Sequence, residues 1–157
     1  MNQQSASKAW GNASKLIAKT VQTTLKGVEK EVASRAYRAT NHLRNASLYV
    51  LRGQRSGRRY RIPYSKKTYQ ASAPGEPPAV RTGVFRLSWG EHVRVERQGK
   101  VYRCVSAIEN NVKVGKYLLG GLLEDGTGRM AARPYKQPIR DRAMPQIKEL
   151  YKKPYKV

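Results

Sequence analysis

The sequence predicts an α+β fold, in which a long N-terminal amphipathic helix and a C-terminal helix pack on a small, mainly antiparallel sheet. Three observations indicate it: a helical spacing of apolar residues over 5–52, an alternating strand pattern around 92–108, and a second helical spacing over 134–153. The chain has 157 residues, the length of one domain with a single core. We therefore treat residues 1–157 as a single domain.

The long helix predicted over 5–52 depends on the spacing of its apolar residues. Each lies three or four residues from the next, with mostly polar or charged residues between them. These residues are Ile17, Val21, Leu25, Val28, Val32, Ala36, Ala39 and Leu43. Gly11 could interrupt the helix near its start, and Gly53 is suited to end it. A helix of this length would extend about 50–60 Å, so we expect it to project, to bend or to pack on a neighbouring subunit.

Residues 54–83 combine basic and aromatic side chains and then form a proline-rich extended loop. Tyr60, Tyr64 and Tyr69 are interleaved with the basic residues. This alternation is typical of proteins that bind single-stranded nucleic acid, in which cations meet phosphates and bases stack on rings. It is also typical of an exposed β-hairpin whose tyrosines cover the edge of the core. Under both interpretations the segment attracts phosphates without reading bases.

A sheet is predicted over 84–133, and a β-hairpin is its clearest part. His92–Arg97 alternates apolar and charged residues, and Gln98-Gly99 supplies a turn. Lys100–Ile108 then returns as the second strand.

The next turn and the last helix follow this hairpin. Asn110-Asn111 predicts a turn, and residues 112–123 predict another strand or a strand with a loop. Gly120-Gly121 would interrupt it with a bulge or a close backbone approach. A C-terminal helix is predicted over 134–153, since apolar residues recur there at helical spacing. Pro145 is expected to kink this helix, because proline removes one internal hydrogen bond and crowds the preceding turn.

The chain is strongly basic along its whole length. Lys and Arg number 32 against 10 Asp and Glu, which gives a formal net charge of +22. Residues 1–57 carry ten basic and two acidic groups, and residues 80–157 carry seventeen and seven. Such a surface attracts polyanions, and it exceeds the roughly 2–8 charges that keep a small domain soluble. Nucleic acid or a large acidic protein assembly is the implied neighbour.

Nothing in the sequence indicates an enzyme, a cofactor or a metal site. Cys104 is the only cysteine, which excludes an internal disulfide and a cysteine-based zinc site, and its strand context favours an inert buried thiol. His42 and His92 have no third ligand at a telling spacing. Glu124-Asp125 is the only adjacent acidic pair and is expected to form a salt bridge with a basic neighbour. The glycine-rich turn at 126–128 lacks the lysine and hydroxyl of a phosphate-binding loop.

Membrane and export signals are also lacking in the sequence. No run approaches the roughly 18 apolar residues of a membrane span, and the first residues lack the apolar core of a signal peptide. We therefore expect a protein that is made and kept in a reducing cytosol and has no membrane partner.

Two loop segments carry a resemblance to a known family. The first is Ser-Ala-Pro-Gly-Glu-Pro-Pro at 72–78, followed by Thr-Gly at 82–83; the second is Leu-Glu-x-Gly-Thr at 123–127, followed by Met-x-Ala-Arg-Pro-Tyr at 130–135. Their order, over about residues 70–152, closely resembles the head–tail connector family of long-tailed double-stranded DNA phages and prophages, also called minor tail, neck or tail-completion proteins. The N-terminal helix fits this family only in kind. Arg81, Asp125 and Gly128 depart from its usual residues, so contacts around 81 and 125 are not assumed.

The resemblance implies a structural virion protein without enzymatic activity, made in the host cytoplasm and located at the head–tail junction. It would form a homo-oligomeric ring around the DNA channel and join the head-completion proteins to the tail terminator or tail tube. The subunit-interface candidates that match the family motifs are Pro74, Gly75, Pro77, Pro78, Met130, Arg133, Pro134 and Tyr135. The same residues would serve equally to tie the sheet to the last helix within one subunit, and the two roles are compatible.

The candidates for contact with DNA in the channel are the basic residues between 55 and 67, chosen for their local density. They are Arg55, Arg58, Arg59, Arg61, Lys66 and Lys67. The net charge is explained equally well by a free basic nucleic-acid-binding protein of the ribosomal or nucleoid type, which is the alternative hypothesis. An enzyme acting on nucleic acid has no catalytic constellation in this sequence.

Overall fold

The computed structural model describes residues 3–99 and 101–155 and has the predicted α+β fold. Its helices are α1 (Gln3–Val50), α2 (Val84–Leu87), α3 (Leu119–Asp125) and α4 (Lys136–Lys152). Its strands are β1 (Arg59–Arg61), β2 (Thr68–Gln70), β3 (Trp89–Gln98), β4 (Val101–Asn110), β5 (Lys113–Val114) and β6 (Tyr117–Leu118). Within the described residues the strands form three separate antiparallel pairs, β1–β2, β3–β4 and β5–β6, where the sequence predicted one small sheet.

The long helix is confirmed, with α1 continuous through Gly11 and ending at Val50. One further helical hydrogen bond follows α1, in which the N–H of Leu51 donates to the carbonyl oxygen of Ser47 at 3.0 Å. The apolar positions in its second half are buried, as at Val32 and Ala36. From the middle of α1 onward, the helix is therefore stabilised by the packing of these apolar residues against the rest of the chain.

The predicted hairpin is confirmed as β3–β4, paired from Trp89 opposite Asn110 to Gln98 opposite Val101. Lys100, which the sequence placed in the second strand, lies outside the described residues. One face of the hairpin packs on α1. The Ser106 hydroxyl donates to the carbonyl oxygen of Ala36 at 3.1 Å, and the Tyr102 hydroxyl reaches the carbonyl oxygen of Leu25 at 3.4 Å. The hairpin thus covers α1 as far out as Leu25.

The strand predicted over 112–123 is wrong in its second half. Short strands β5 and β6 turn at Gly115, whose φ of 58° belongs to the left-handed region. The chain then forms α3, in which Gly120 is buried. The paired glycines predicted a bulge or a close backbone approach. The bulge is wrong, because Gly120 lies in a helix, and the close approach is confirmed, because Tyr135 packs directly against Gly120.

The core lies where α4 crosses the C-terminal half of α1. Its buried members are Ala46, Leu51, Tyr135, Ile139 and Ala143. Alanines on both helices let the backbones come close. The C-terminal helix is confirmed, beginning at Lys136 rather than at residue 134, and Pro145 lies inside it while the helix continues to Lys152.

Three aromatic rings close one end of this core. Phe85 and Tyr135 meet edge to face at 5.4 Å between ring centroids, and Trp89 lies 5.7 Å from Phe85 and 6.0 Å from Tyr135. Burial raises the pKa of the Tyr135 phenol to about 12, and the negative charges of Glu124 and Asp125 contribute to the increase. This cluster joins α2, β3 and the start of α4.

Arg35 fastens the end of the chain to α1. It is 2% exposed, and its guanidinium donates to the carbonyl oxygens of Lys153 and Pro154 at 2.6 Å each and to Glu31 at 2.9 Å. The ring of Tyr155 lies 3.9 Å from its guanidinium carbon. The buried charge is therefore fully used within the chain.

Candidate functional site

The two loop segments that carry the family resemblance meet in the structure. The backbone N–H of Gly75 donates to the carbonyl oxygen of Ala132 at 3.1 Å, and the N–H of Arg133 donates to the carbonyl oxygen of Leu123 at 2.8 Å. Gly75 has a φ of 80°, a backbone conformation that residues with a side chain rarely adopt. These bonds lie within one chain, so the loops tie the 71–83 segment to the strand-to-helix region beside α4.

The proline-rich loop is closed on itself by Ser72 and Glu76. The Ser72 hydroxyl donates to the carbonyl oxygen of Pro77 at 2.8 Å. The Glu76 carboxylate accepts the hydroxyl of Ser56 at 2.7 Å, the N–H of Ser56 at 3.1 Å and the N–H of Ala73 at 2.9 Å. These bonds, with the nearby charge of Arg55, lower the pKa of Glu76 to about 2. The loop is therefore extended only on either side of a fixed turn at Pro74-Gly75.

The subunit-interface candidates are mostly packed inside the chain. Tyr135 is 4% exposed and belongs to the core, and Pro78 is buried. The remaining partly buried candidates are Pro77, Met130, Arg133 and Pro134. Pro74 and Gly75 are exposed. The geometry thus gives this set an intrachain role, with the turn at 74–75 as the part that is open to a neighbour.

Arg55 differs from the other five DNA-channel candidates. Its guanidinium donates to the carbonyl oxygens of Val50 at 2.7 Å, Gln54 at 2.9 Å and Pro78 at 3.1 Å. Burial lowers its pKa, and the nearby Glu76 charge partly offsets that effect. Arg55 joins the end of α1 to the proline-rich loop, so its charge is directed into the fold.

The other five candidates lie together on the β1–β2 hairpin and its turn, and all are exposed. They are Arg58, Arg59, Arg61, Lys66 and Lys67. Tyr60 and Tyr69 are paired across the two strands with stacked rings 6.0 Å apart. Tyr64 at the turn is fully exposed. The segment therefore forms the expected hairpin, but its tyrosines do not all cover the core edge, since Tyr60 and Tyr64 are exposed. The hairpin presents a basic surface, and binding of single-stranded nucleic acid stays a prediction.

Glu124 has a function that the sequence did not indicate. Its carboxylate accepts the backbone N–H groups of Tyr135 at 3.0 Å and Lys136 at 3.2 Å, at the N-terminus of α4. A negative charge here satisfies unpaired donors and complements the helix dipole. The predicted salt bridge of Glu124 is therefore replaced by a helix cap supplied from α3. The spacing of residues in the sequence does not predict this cap, because Glu124 lies on α3 and the N–H groups that it accepts lie at the start of α4.

The outer part of α1 carries an apolar stripe that the described chain does not cover. Trp10 is 77% exposed, Ile17 64% and Val21 51%. At about 100° per residue these three and Leu25 fall within an arc of roughly 80°, in line with the buried residues further along the helix. Lys15, Lys19, Lys26 and Lys30 fall on the other side of the helix. The stripe is thus neutral at its centre and continuous with the interior face.

The structure gives no sign of catalysis within its described residues. No group of three or more His, Cys, Asp or Glu side chains is close enough to hold a metal ion there. His42 is half-buried on α1, and His92 is exposed and contacts Glu109 at 2.8 Å. Burial raises the pKa of the Cys104 thiol, which disfavours a reactive thiolate. No helix in the described part of the chain is long and apolar enough to cross a membrane.

The fold and these surfaces define a basic α+β protein with an exposed apolar stripe and an exposed basic hairpin. No protein-family model matches the chain, and no similar curated protein or solved structure was found.

Proposed function

We propose that the chain is a structural virion protein that forms a homo-oligomeric ring at the head–tail junction of a long-tailed phage. In this role it joins head-completion proteins to the tail terminator or tail tube around the DNA channel. The kind of assembly comes from the resemblance of the 72–83 and 123–135 motifs. The observation that carries the oligomer is the exposed apolar stripe at Trp10, Ile17 and Val21.

The stripe supports a subunit contact because exposed aliphatic and aromatic side chains in line on one helix gain free energy when covered. It is continuous with the face that β3–β4 covers from Leu25 onward. Since Lys15 and Lys19 lie on the other side of α1, a neighbour that covers the stripe does not have to approach the lysines.

The arrangement also leaves the basic hairpin free. The stripe ends near Val21 and the hairpin follows the other end of α1 at Val50, a separation on the order of 45 Å at about 1.5 Å per residue. Subunits that meet through the stripe would therefore still present the β1–β2 cations to a channel. Charges of this kind attract DNA without sequence preference.

Light scattering and negative-stain electron microscopy of the purified chain, alone and mixed with phage heads or tails, test the ring. The double variant Ile17→Asp/Val21→Asp should lose the oligomer or the attachment. Lys19→Asp is the matched control, because it changes the net charge by the same two units on the opposite side of the helix. A wild-type chain that stays monomeric and attaches to neither particle would overturn the proposal.

The alternative, a free nucleic-acid-binding protein, is supported by the exposed β1–β2 hairpin. It predicts submicromolar binding of random duplex DNA by the monomer, with a steep log–log dependence on salt. That result together with no oligomer would favour the alternative over the ring.

A further inference from the structure

A groove with a volume of about 610 Å³ opens between the β1–β2 hairpin, the 78–86 segment and α3. Its apolar floor is contributed by four separate parts of the chain. The floor residues are Leu51, Val84, Phe85, Leu119, Leu123 and Met130. A ligand that covered this floor would remove apolar surface from water.

Arginines surround the apolar floor. Arg58, Arg81, Arg86 and Arg133 line the groove, and none of its described lining residues is acidic. The Nε atoms of Arg86 and Arg133 are buried and have no hydrogen-bond partner among the described residues. Buried donors without acceptors cost free energy, and an arginine fork is suited to a carboxylate. The groove therefore has no negative charge among its described lining residues, and two of its arginine donors have no acceptor.

Several carboxylates of this chain are already engaged elsewhere. Glu76 and Glu124 already accept backbone N–H groups, Glu31 pairs with Arg35, and Glu91 lies 3.4 Å from Arg44. A second copy would also bring a charge of +22 to a groove lined by arginines. The occupant that complements the groove is a different and acidic molecule.

Duplex DNA fits this groove less well than an acidic peptide does. Phosphates would pair with the arginines, but the charged outer surface of a duplex would leave Phe85, Leu119 and Leu123 without an apolar partner. A peptide carries carboxylates and apolar side chains at adjacent positions, so it satisfies both parts of the groove.

We propose that this groove binds an extended acidic segment of another protein, with carboxylates on Arg86 and Arg133 and at least one apolar side chain on the floor. The site is separate from the α1 stripe, so it does not depend on ring formation. In addition to the contact proposed for ring formation, the chain then has a groove that binds an acidic segment of a second protein.

Selection of displayed random peptides against the full-length chain tests the site. The selected sequences should combine two or more Asp or Glu residues with Leu, Ile or Phe. Synthetic copies should bind in fluorescence anisotropy, and Arg86→Gln or Arg133→Gln should weaken binding about tenfold or more, the loss of one charge-assisted hydrogen bond. Arg103→Gln, at an exposed position on β4 outside the groove, should leave the affinity within about twofold.

Hydrogen exchange of the wild-type chain with bound peptide covers the case in which a glutamine variant does not fold. Protection should appear over 80–86 and 119–123. Selection of neutral or basic peptides, selection of none, or protection elsewhere would overturn the proposal. A random DNA oligonucleotide that displaces the peptide and itself depends on Arg86 and Arg133 would assign the groove to nucleic acid instead. Light scattering of the same variants is expected to be unchanged, so failure here is distinguishable from failure of the ring.

Discussion

The phenol oxygen of Tyr135 lies against Gly120, so close that a Cβ placed on this glycine would be 2.6 Å from it. Such a distance is shorter than packed side chains tolerate. The close approach lets α3 pack against the aromatic cluster and brings Glu124 to the N-terminus of α4. The missing side chain at 120 is therefore part of what holds the two loop motifs and the last helix together.

We predict that Gly120→Ala destabilises the chain by about 1–3 kcal/mol, since overpacking forces the phenol or α3 to move. Gly121→Ala is the control one residue away, where nothing lies within 4 Å of the added Cβ. This control should stabilise the chain by about 0.5–1 kcal/mol, because alanine is favoured over glycine in a helix. The free energies of unfolding in urea measure both.

Tyr135→Phe in the Gly120→Ala background should recover part of the loss, because it removes the oxygen that the new methyl group meets. The Phe85 ring, at 3.6 Å from the built Cβ, is in ordinary contact and stays in place. Equal destabilisation by the two glycine substitutions, or no recovery in the double variant, would contradict this account of the packing.

The spacing of apolar residues along the chain was sufficient to predict the long helix and the main hairpin. The spacing from Ile17 to Leu43 predicted α1, and the alternation from His92 to Ile108 predicted β3–β4. The length of α1 predicted that it would project, bend or pack on a neighbouring subunit, but the spacing did not show which apolar residues would be left exposed, because the same pattern runs from Ile17 and Val21 into the buried half of the helix. Whether a stripe is covered depends on the reach of the hairpin, which ends at Leu25.

The features that sequence reasoning missed depend on residues far apart in the chain. The paired glycines predicted a bulge or a close backbone approach at Gly120, but they gave no sign that Tyr135 would be the group that approaches. Arg55 was among the DNA-channel candidates, although its guanidinium donates hydrogen bonds to the carbonyl oxygens of Val50 and Pro78. The arginine-lined groove is built from seven separate stretches of the chain, and the spacing of residues in the sequence does not indicate that Arg86 and Arg133 line the same groove.

Glu76 should make the stability of the chain depend on pH in the acid range. Its pKa in the folded chain is about 2 against a usual value of 4.5, because the carboxylate accepts bonds from Ser56 and Ala73. A lowered pKa means that the stabilisation is complete above about pH 4.5 and is lost as the pH falls through about 2. Glu76→Gln should therefore be less stable than wild type at pH 7, with the difference shrinking towards pH 2.

Thermal unfolding at several pH values measures this difference. Glu149→Gln is the matched control, since Glu149 is exposed and pairs only with Lys152 in the described structure. A Glu76→Gln difference that stays constant from pH 7 to pH 2 would show that the carboxylate bonds do not stabilise the loop.

Arg35 is expected to hold the residues after α4 against α1. Arg35→Lys keeps the charge but loses the fork that donates to Lys153 and Pro154, so we expect a loss of about 1.5–3 kcal/mol. Arg38→Lys is the control, because Arg38 reaches the same Glu31 at 3.4 Å from an exposed position. Its effect should stay within about 0.5 kcal/mol. Hydrogen exchange at 150–155 should become faster in Arg35→Lys alone. Equal exchange in the two variants would contradict the role of Arg35 in holding these residues against α1.

The basic hairpin should supply a measurable share of any binding to duplex DNA. Arg59, Arg61, Lys66 and Lys67 are exposed on it, and Arg58 is left unchanged in this experiment because it also lines the groove. Replacing the four by Ser should weaken binding and reduce the log–log salt slope by up to about 3–4, at about 0.9 per phosphate contact. Fluorescence anisotropy with a random duplex over a salt series gives both quantities.

The matched control for the hairpin replaces the same number of charges on α1, at Lys15, Lys19, Lys26 and Lys30. Both variants have the same net charge, so a general loss of attraction would lower the two affinities and slopes alike. A hairpin that contacts phosphates should give the larger change in slope, because only charges that displace counterions from DNA contribute to it. Equal salt slopes for the two variants would mean that the overall positive charge of the chain attracts DNA. The proposal that the β1–β2 hairpin faces the channel would then be contradicted.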